Sequence, residues 1–323
     1  MRLVVFGAGA IGGAIGARLH QSGHPVTLIA RAAHGRAIRQ RGLSFETPEG
    51  ATTLELPVVE RPDQLDWAGD EVVLLCMKTQ DTAEALQALR ASAPATTAVV
   101  CAQNGVENER LALRLFEHVY GAVVMLPAVH LEPGVVLAHG GRLTGMIDVG
   151  RYPEGIDERA AALVQALRGA RFLSEAREDV MRLKYAKLIM NLANAPTALC
   201  RPGPDCDELV ELAKAEGRAV LSAAGVEFED AQVSDRGGRW AELGVGEIRG
   251  RPYPGSSTWQ SLTRGTGGIE TDYLNGEIVL LGRLHGVPAP VNEALCRLAE
   301  QHVRERRAPA TVPAEEVLPT WTR

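Results

Sequence analysis

The stretch RLVVFGAGAIGGAIGARLH, residues 2–20, constrains this chain more than any other. A run with strand character meets Gly7, and a helical pattern begins directly behind it, so the backbone must turn from strand to helix within a few residues. GAGAIG at 7–12 fits GxGxxG, and each glycine has its own part in it. Gly7 permits the tight turn, Gly9 lets a pyrophosphate approach the backbone, and Gly12 lets helix and strand pack closely. Together with Ala8, Ala10 and Ile11, these residues offer unpaired N–H groups and the positive end of a helix dipole to an anion. A glycine-rich turn without a ligand is the plain alternative. The flanking strand and helix favour a dinucleotide site.

The first half repeats that alternation. PVTLIAR is a second strand, DEVVLLCMK and TAVVCAQNG are further strands with the helical TAEALQALRAS between them, and this spacing marks a parallel sheet with crossover helices. VYGAVVMLPAVHLEPGVVLAHGG continues in β style, and DERAAALVQALRGA is another helix. Beyond about residue 176 helical patterns dominate, and helices are expected over 178–194, 206–225, 257–264, 270–286 and about 290–304. At 323 residues the chain exceeds what one core usually serves, so we expect an α/β domain over 1–175 and an all-helical C-terminal domain over 176–323. The glycine-rich stretch 235–257 reads as a functional loop or a mobile lid. From about residue 305 the tail lacks periodicity and is expected to be poorly ordered.

A net charge of −6 gives no general attraction to nucleic acid or an anionic membrane, and neither is an expected partner. No uninterrupted apolar run approaches the ~18 residues that span a bilayer, and with no basic, apolar leader the chain is expected to begin at its first strand. Cys76, Cys101, Cys200, Cys206 and Cys296 form no CxxC pair and no Cys/His cluster, so we read reduced thiols in a cytoplasmic protein and no metal site.

The end of the second strand selects the dinucleotide. An NAD site usually places an acidic residue there to hold the ribose 2′-hydroxyl, but this strand ends LIAR, and no acidic residue occurs from Met1 through Phe45. Arg31, with Arg36 and Arg39 behind it, puts cations where a 2′-phosphate would sit, so NADP(H) is the expected cofactor. Lys78 and Asn104 follow the next two strands at the carboxyl edge where such sheets bind ligands, and are expected on the cofactor side.

In the helical half, Lys187, Asn191 and Asn194 are spaced i, i+4, i+7 and share one helix face. That face is either solvated or a polar cluster in a cleft, where a lysine ammonium can protonate a developing alkoxide. Glu270 and Asp272 in GGIETDYLNG suit a helical first turn. Ser256 and Ser257 suit the cap of a helix starting near Thr258, and the same hydroxyls suit a carboxylate. Taken singly, each is ordinary.

Taken in order, GAGAIG, Arg31, MK at 77–78, QNG at 103–105, AKLIMN at 186–191, SSTWQSL at 256–262, ETDYLNG at 270–276 and HGVPAPVN at 285–292 resemble the ketopantoate reductase family along nearly the whole chain. The resemblance implies an N-terminal Rossmann domain, a helical C-terminal domain, and an active site in the cleft between them. It also implies NADPH-dependent reduction of a 2-oxo acid to a 2-hydroxy acid, 2-dehydropantoate to pantoate in pantothenate biosynthesis. By the same resemblance Lys187 is the proton donor, Asn191 and Ser257 contact substrate, Glu270 stands beside the lysine and the cofactor ribose, and Asn104 and Lys78 lie on the cofactor side. Two positions depart from the pattern, since Ala195 and Pro254 stand where substrate-contacting asparagines are expected, and a site without those amides loses discrimination for a hydroxylated substrate. A relative acting on a different 2-oxo acid, an NADP(H)-binding regulator without turnover, and a 3-hydroxy acid dehydrogenase of similar build are the alternatives. The expected assembly is a homodimer, with no sequence feature that fixes it.

Overall fold

The computed structural model describes residues 1–229, 239–265 and 268–317. The chain divides into two compact units, Met1–Lys184 with Asp235–Tyr253, and Tyr185–Ser234 with Pro254–Arg323.

In the first unit the main sheet runs in the order β12 (Phe172–Leu173), β11 (Gly145–Arg151), β8 (His118–Met125), β7 (Ala98–Cys101), β6 (Glu71–Leu75), β1 (Arg2–Phe6), β2 (Val26–Ile29) and β5 (Val58–Val59). Its neighbours pair in parallel, except that β11 runs antiparallel to β8. Strands covered on both faces read as continuous apolar runs, and β6 and β7 are buried at every residue. Alternate side chains serve different cores. Leu3, Val5, Leu74 and Val100 join α1 (Ala10–Gln21) and α5 (Glu158–Gly169) on one face, while Val4, Phe6, Leu75 and Val99 join α3 (Thr82–Arg90) and α4 (Asn108–Leu113) on the other. Each such side chain contributes about 1.5–3 kcal/mol when fully buried.

A second sheet lies against α1, in the order β4 (Gly50–Leu54), β3 (Leu43–Thr47), β10 (Val135–Ala138) and β9 (Ala128–Val129). The sequence pattern leads one to expect the β structure after residue 119, but not the hairpin over 43–54. The fit is tight: a Cβ on Gly13 would stand 2.7 Å from Val136 Cγ2 of β10, and on the main-sheet side one on Gly16 would stand 2.7 Å from Leu28 Cδ2 of β2. Arg18, on the same helix, is enclosed, its Nε donating to Thr144 Oγ1 at 2.7 Å and its guanidinium 4.9 Å from the Phe45 ring centroid. Burial is the main force that pushes its pKa down to about 10.

Part of the stretch read as a lid belongs to this unit. In α9 (Arg239–Leu243) the Arg239 guanidinium donates to both oxygens of buried Asp148, at 3.0 and 3.1 Å. Leu243 O accepts from Gly141 N and His139 O from Gly246 N, each at 2.8 Å, so residues 239–246 are fastened to the connection between β10 and β11. Residues 235–238 lie outside the described residues.

The second unit is helical: the end of α6 (Val180–Asn191), α7 (Asn194–Leu199), α8 (Pro204–Ala223), α10 (Ser257–Arg264), α11 (Asn275–His285) and α12 (Pro290–Glu305). Two expectations need correction. The helix expected over 178–194 stops at Asn191, because Pro196 has no N–H for Leu192 O and its ring crowds that carbonyl. The freed Leu192 O accepts instead from Asn275 Nδ2 at 3.4 Å. The helix expected over 270–286 begins as a tight 3₁₀ turn at Thr271–Tyr273 and becomes α-helical only at Asn275. Past Glu305 the chain stays with its unit: Ala310 N donates to Ala198 O at 2.9 Å, and Val312 N to Leu199 O at 3.1 Å. Residues 318–323 of the tail lie outside the described residues. The N-terminus of α12 is closed from another helix, since the Glu216 carboxylate accepts from Val291 N at 2.9 Å and Asn292 N at 3.0 Å.

Candidate active site

The glycine turn sits at the carboxyl end of β1, between the strands that continue the sheet in opposite directions, which is the position where open parallel sheets bind ligands. Gly7 has φ +97°, and a Cβ there would lie 2.8 Å from Met77 N. A Cβ on Gly12 would lie 2.1 Å from Gly7 O, so only glycine lets α1 start so close to the strand. At Gly9 the opposite holds. The space around its Cα is open, with no atom within 4 Å of a Cβ, and the residue is the N-cap of α1, whose first turn is Ala10, Ile11 and Gly12. A cradle that a Cβ would fill is what the phosphates of a dinucleotide need.

Beside the turn runs a groove of about 300 Å³, lined among others by Gly7, Ala8, Gly9, Arg31, His34 and Arg61. Arg31 is the N-cap residue of α2 (Ala32–Arg41), 59% exposed, and 3.6 Å from Glu84. Glu60, Asp81 and Glu84 line the same groove, so its charge is mixed.

Lys78 and Asn104 follow the neighbouring strands β6 and β7 and stand outside the lining of that groove. Their loops are tied together, because Asn104 O accepts from Asn108 Nδ2 at 3.1 Å and from Thr79 Oγ1 at 3.4 Å. Behind them lies a buried polar network. Gln103 Nε2 donates to Thr82 Oγ1 at 2.7 Å, Thr82 Oγ1 donates to Asn108 Oδ1 at 2.8 Å, and Lys184 Nζ donates to Gln103 O at 3.2 Å. Lys184 also pairs directly with Glu109. Burial holds the Glu109 carboxyl above the usual carboxylate range against the pull of that ammonium.

In the second unit, Lys187 and Asn191 lie one turn apart on α6, half-buried. Asn194, on the far side of the helix break, donates from Nδ2 to Asn191 Oδ1 at 3.5 Å, so the break keeps the two amides in touch although one helix does not carry both. Asn191 Nδ2 is buried and has no hydrogen-bond partner among the described residues. Ser256 caps α10, accepting from Trp259 N at 3.3 Å, which makes Ser257 the first residue of that helix. Glu270 is 8% exposed, and its carbonyl closes the 3₁₀ turn to Tyr273. The bond from Asn275 to Leu192 O joins the start of α11 to the end of α6, and α10 packs on α7. Segments far apart in sequence thus meet within this unit.

Residues 3–154 match the family model described as Ketopantoate reductase PanE/ApbA, and residues 179–303 match its C-terminal counterpart, Ketopantoate reductase PanE/ApbA C terminal. The chain belongs to the ketopantoate reductase family. The 2-dehydropantoate 2-reductase of Pyrococcus horikoshii is 29% identical over 308 residues, covering 93% of this chain and 97% of its own. The crystal structure of a PanE/ApbA family ketopantoate reductase from Ralstonia eutropha JMP134 is 32% identical and superposes with a TM-score of 0.79, covering 95% of this chain and all (100%) of that one. A D-mandelate dehydrogenase solved with NADH and anilino(oxo)acetate shares the fold at a TM-score of 0.78 and 23% identity, covering 95% of this chain and 100% of its own.

Ketopantoate reductase family members are nicotinamide-dependent oxidoreductases of 2-oxo acids, and that is the chemistry of this chain. Among the described residues no helix is long and apolar enough to cross a membrane. Two groove residues are not apparent from the sequence. Arg61 and His34 have no motif to mark them; His34 sits three residues past Arg31, and its partners lie 26 and 100 residues away.

Proposed function

We propose that this chain reduces 2-dehydropantoate to pantoate with NADPH. The observation that carries the cofactor choice is Arg31 at the groove beside the glycine turn, with no acidic residue before Glu46 in the chain to hold a ribose 2′-hydroxyl. Curated relatives of nearly the same length, from Pyrococcus horikoshii and Archaeoglobus fulgidus, bear the name 2-dehydropantoate 2-reductase, which supports the substrate.

Bound NADPH would supply the hydride to the 2-oxo carbon. Gly7 to Gly12 would receive its pyrophosphate and Arg31 its 2′-phosphate, with Asn104 near the nicotinamide and Lys78 on the cofactor side. Lys187 gives a proton to the oxygen as it becomes an alkoxide, a charge that exists only in the transition state and after it, so a cation there lowers the barrier more than it tightens substrate binding. Glu270 keeps that ammonium charged and aimed. Ser257 holds the substrate carboxylate, and Asn191 Nδ2, a buried donor without a partner among the described residues, meets a substrate oxygen. Cytoplasmic residence and a homodimer complete the proposal.

A second reading, a different 2-oxo acid, is favoured by one feature. Ala195 is 1% exposed and apolar, and Pro254 has no side-chain donor, so two amides that would grip a substrate hydroxyl are missing.

The test is a pair of variants. Lys187→Ala should lower kcat by about 10²-fold while NADPH still binds. Arg31→Ala should weaken NADPH by roughly tenfold and leave NADH unchanged. Full turnover in the first, or equal loss of both dinucleotides in the second, refutes these roles.

A further inference from the structure

His34 occupies a place in the groove that no role above uses. Gly134 N donates to its Nδ1 at 2.9 Å, and a backbone N–H can only donate, so Nδ1 bears the lone pair and the ring proton sits on Nε2. Nε2 lies 2.7 Å from Ala8 O and therefore donates to it. Gly134 is itself held, since its carbonyl accepts from Ser44 N of β3 at 2.9 Å. The imidazole thus fastens the glycine turn to the second sheet.

We infer that His34 is a positioning residue for the dinucleotide, holding the Ala8–Gly9 peptide in the orientation that the phosphates meet. The inference rests on the reading of GAGAIG as the phosphate-binding turn. A trans peptide carries its C=O and N–H on opposite sides, so turning Ala8 O toward His34 turns Gly9 N–H the other way. Gly9 is also the residue with open space around its Cα, and without the clamp its peptide plane would be free to rotate. Fixing one donor in advance removes an ordering cost from binding.

Only the neutral ring makes both bonds. A second proton would land on Nδ1 and oppose the Gly134 N–H. It would also charge a ring whose centroid is 4.0 Å from that of His130, which is held by Val135 O at 3.0 Å from its Nδ1. Other charges facing the groove are Arg31 on the N-terminal side of the same helix and Glu60, Arg61, Asp81 and Glu84 from the segments opposite. Several of these are matched, Arg31 with Glu84 at 3.6 Å, Glu60 with Arg39, and Arg61 with Asp63 at 3.0 Å. Burial lowers the His34 pKa and the Ala8 carbonyl opposes that, with burial the larger effect.

Dinucleotide dissociation constants of the full chain, measured with both NADPH and NADH, test this in wild type, His34→Phe and His34→Gln, with thermal melts alongside. Phenylalanine fills the ring's space without a donor, whereas glutamine keeps an N–H that reaches Ala8 O. The expected result is a roughly tenfold higher NADPH Kd in His34→Phe, most of it recovered in His34→Gln, with kcat at saturating NADPH and KM for the 2-oxo acid little changed. In wild type the affinity should weaken only on the acid side of the usual histidine range, because burial lowers the His34 pKa, and His34→Gln should lack that acid limb. A Kd in His34→Phe within twofold of wild type overturns the inference, as does a His34→Gln variant as weak as His34→Phe with its acid limb intact. Wild type that binds neither dinucleotide overturns the underlying reading and this inference together.

Discussion

Replacing Lys184 with methionine leaves a carboxylate sealed inside the first unit. The Lys184 and Glu109 side chains are 3% and 0% exposed, and Glu109 Oε2 already has no hydrogen-bond partner among the described residues. Losing one member of such a pair costs about 3–5 kcal/mol, because the remaining charge is buried without compensation. Against a typical total of about 5–15 kcal/mol this is a large fraction, and at about 2–4 °C per kcal/mol it lowers the melting temperature by roughly 10 °C. The sign of its pH dependence follows from linkage. Burial raises the Glu109 pKa, so the folded state holds a proton that the unfolded state releases, and the penalty shrinks as pH falls toward 5. The double variant Lys184→Met/Glu109→Leu removes both charges and should regain most of the loss. Thermal and urea melts of the three proteins at pH 7 and pH 5 make the measurement. A Lys184→Met protein that melts within about 2 °C of wild type, or a double variant less stable than the single, is incompatible with a stabilising Lys184–Glu109 pair.

Two glycines of the same turn should respond in opposite ways. Gly9→Ala meets open space at φ −64°, so its melting temperature should match wild type while NADPH affinity falls; unchanged affinity in a titration contradicts the phosphate cradle. Gly12→Ala drives a Cβ to 2.1 Å from Gly7 O, so it should cost at least about 1–3 kcal/mol in a urea melt, and a neutral result contradicts the close approach of α1 to β1. His302 is fully buried, held by Leu298 O at 3.1 Å, and burial lowers its pKa. Its neutral form is the native one, so the unfolded chain protonates first, and this stability is present above about pH 6.5 and lost as pH falls below it. His302→Gln should flatten the melting temperature between pH 7.5 and 5; an unchanged slope argues against it.

What the sequence disclosed were the constraints that act over a few residues. Gly7 and Gly12 were legible because a positive φ and a close approach each demand glycine within one turn, and Gly9 because it completes their spacing. The signal for the helix break was present too, since Pro196 excludes the carbonyl four residues before it, but the apolar periodicity through Leu192 masked it. Long-range pairings were not legible. Residues 43–47 become a strand only by pairing with 50–54 and with 135–137, and the return of 239–246 to the first unit depends on Arg239 meeting Asp148, 91 residues away. His34 was invisible for the same reason: its bonds reach Ala8 and Gly134, neither marked by a pattern that includes a histidine.

NADPH consumption by the purified chain, followed with a panel of 2-oxo acids that includes 2-dehydropantoate and repeated with NADH, decides whether it is a 2-dehydropantoate reductase. The highest kcat/KM is expected with 2-dehydropantoate and NADPH. NADPH that binds but is not oxidised with any 2-oxo acid would contradict that assignment.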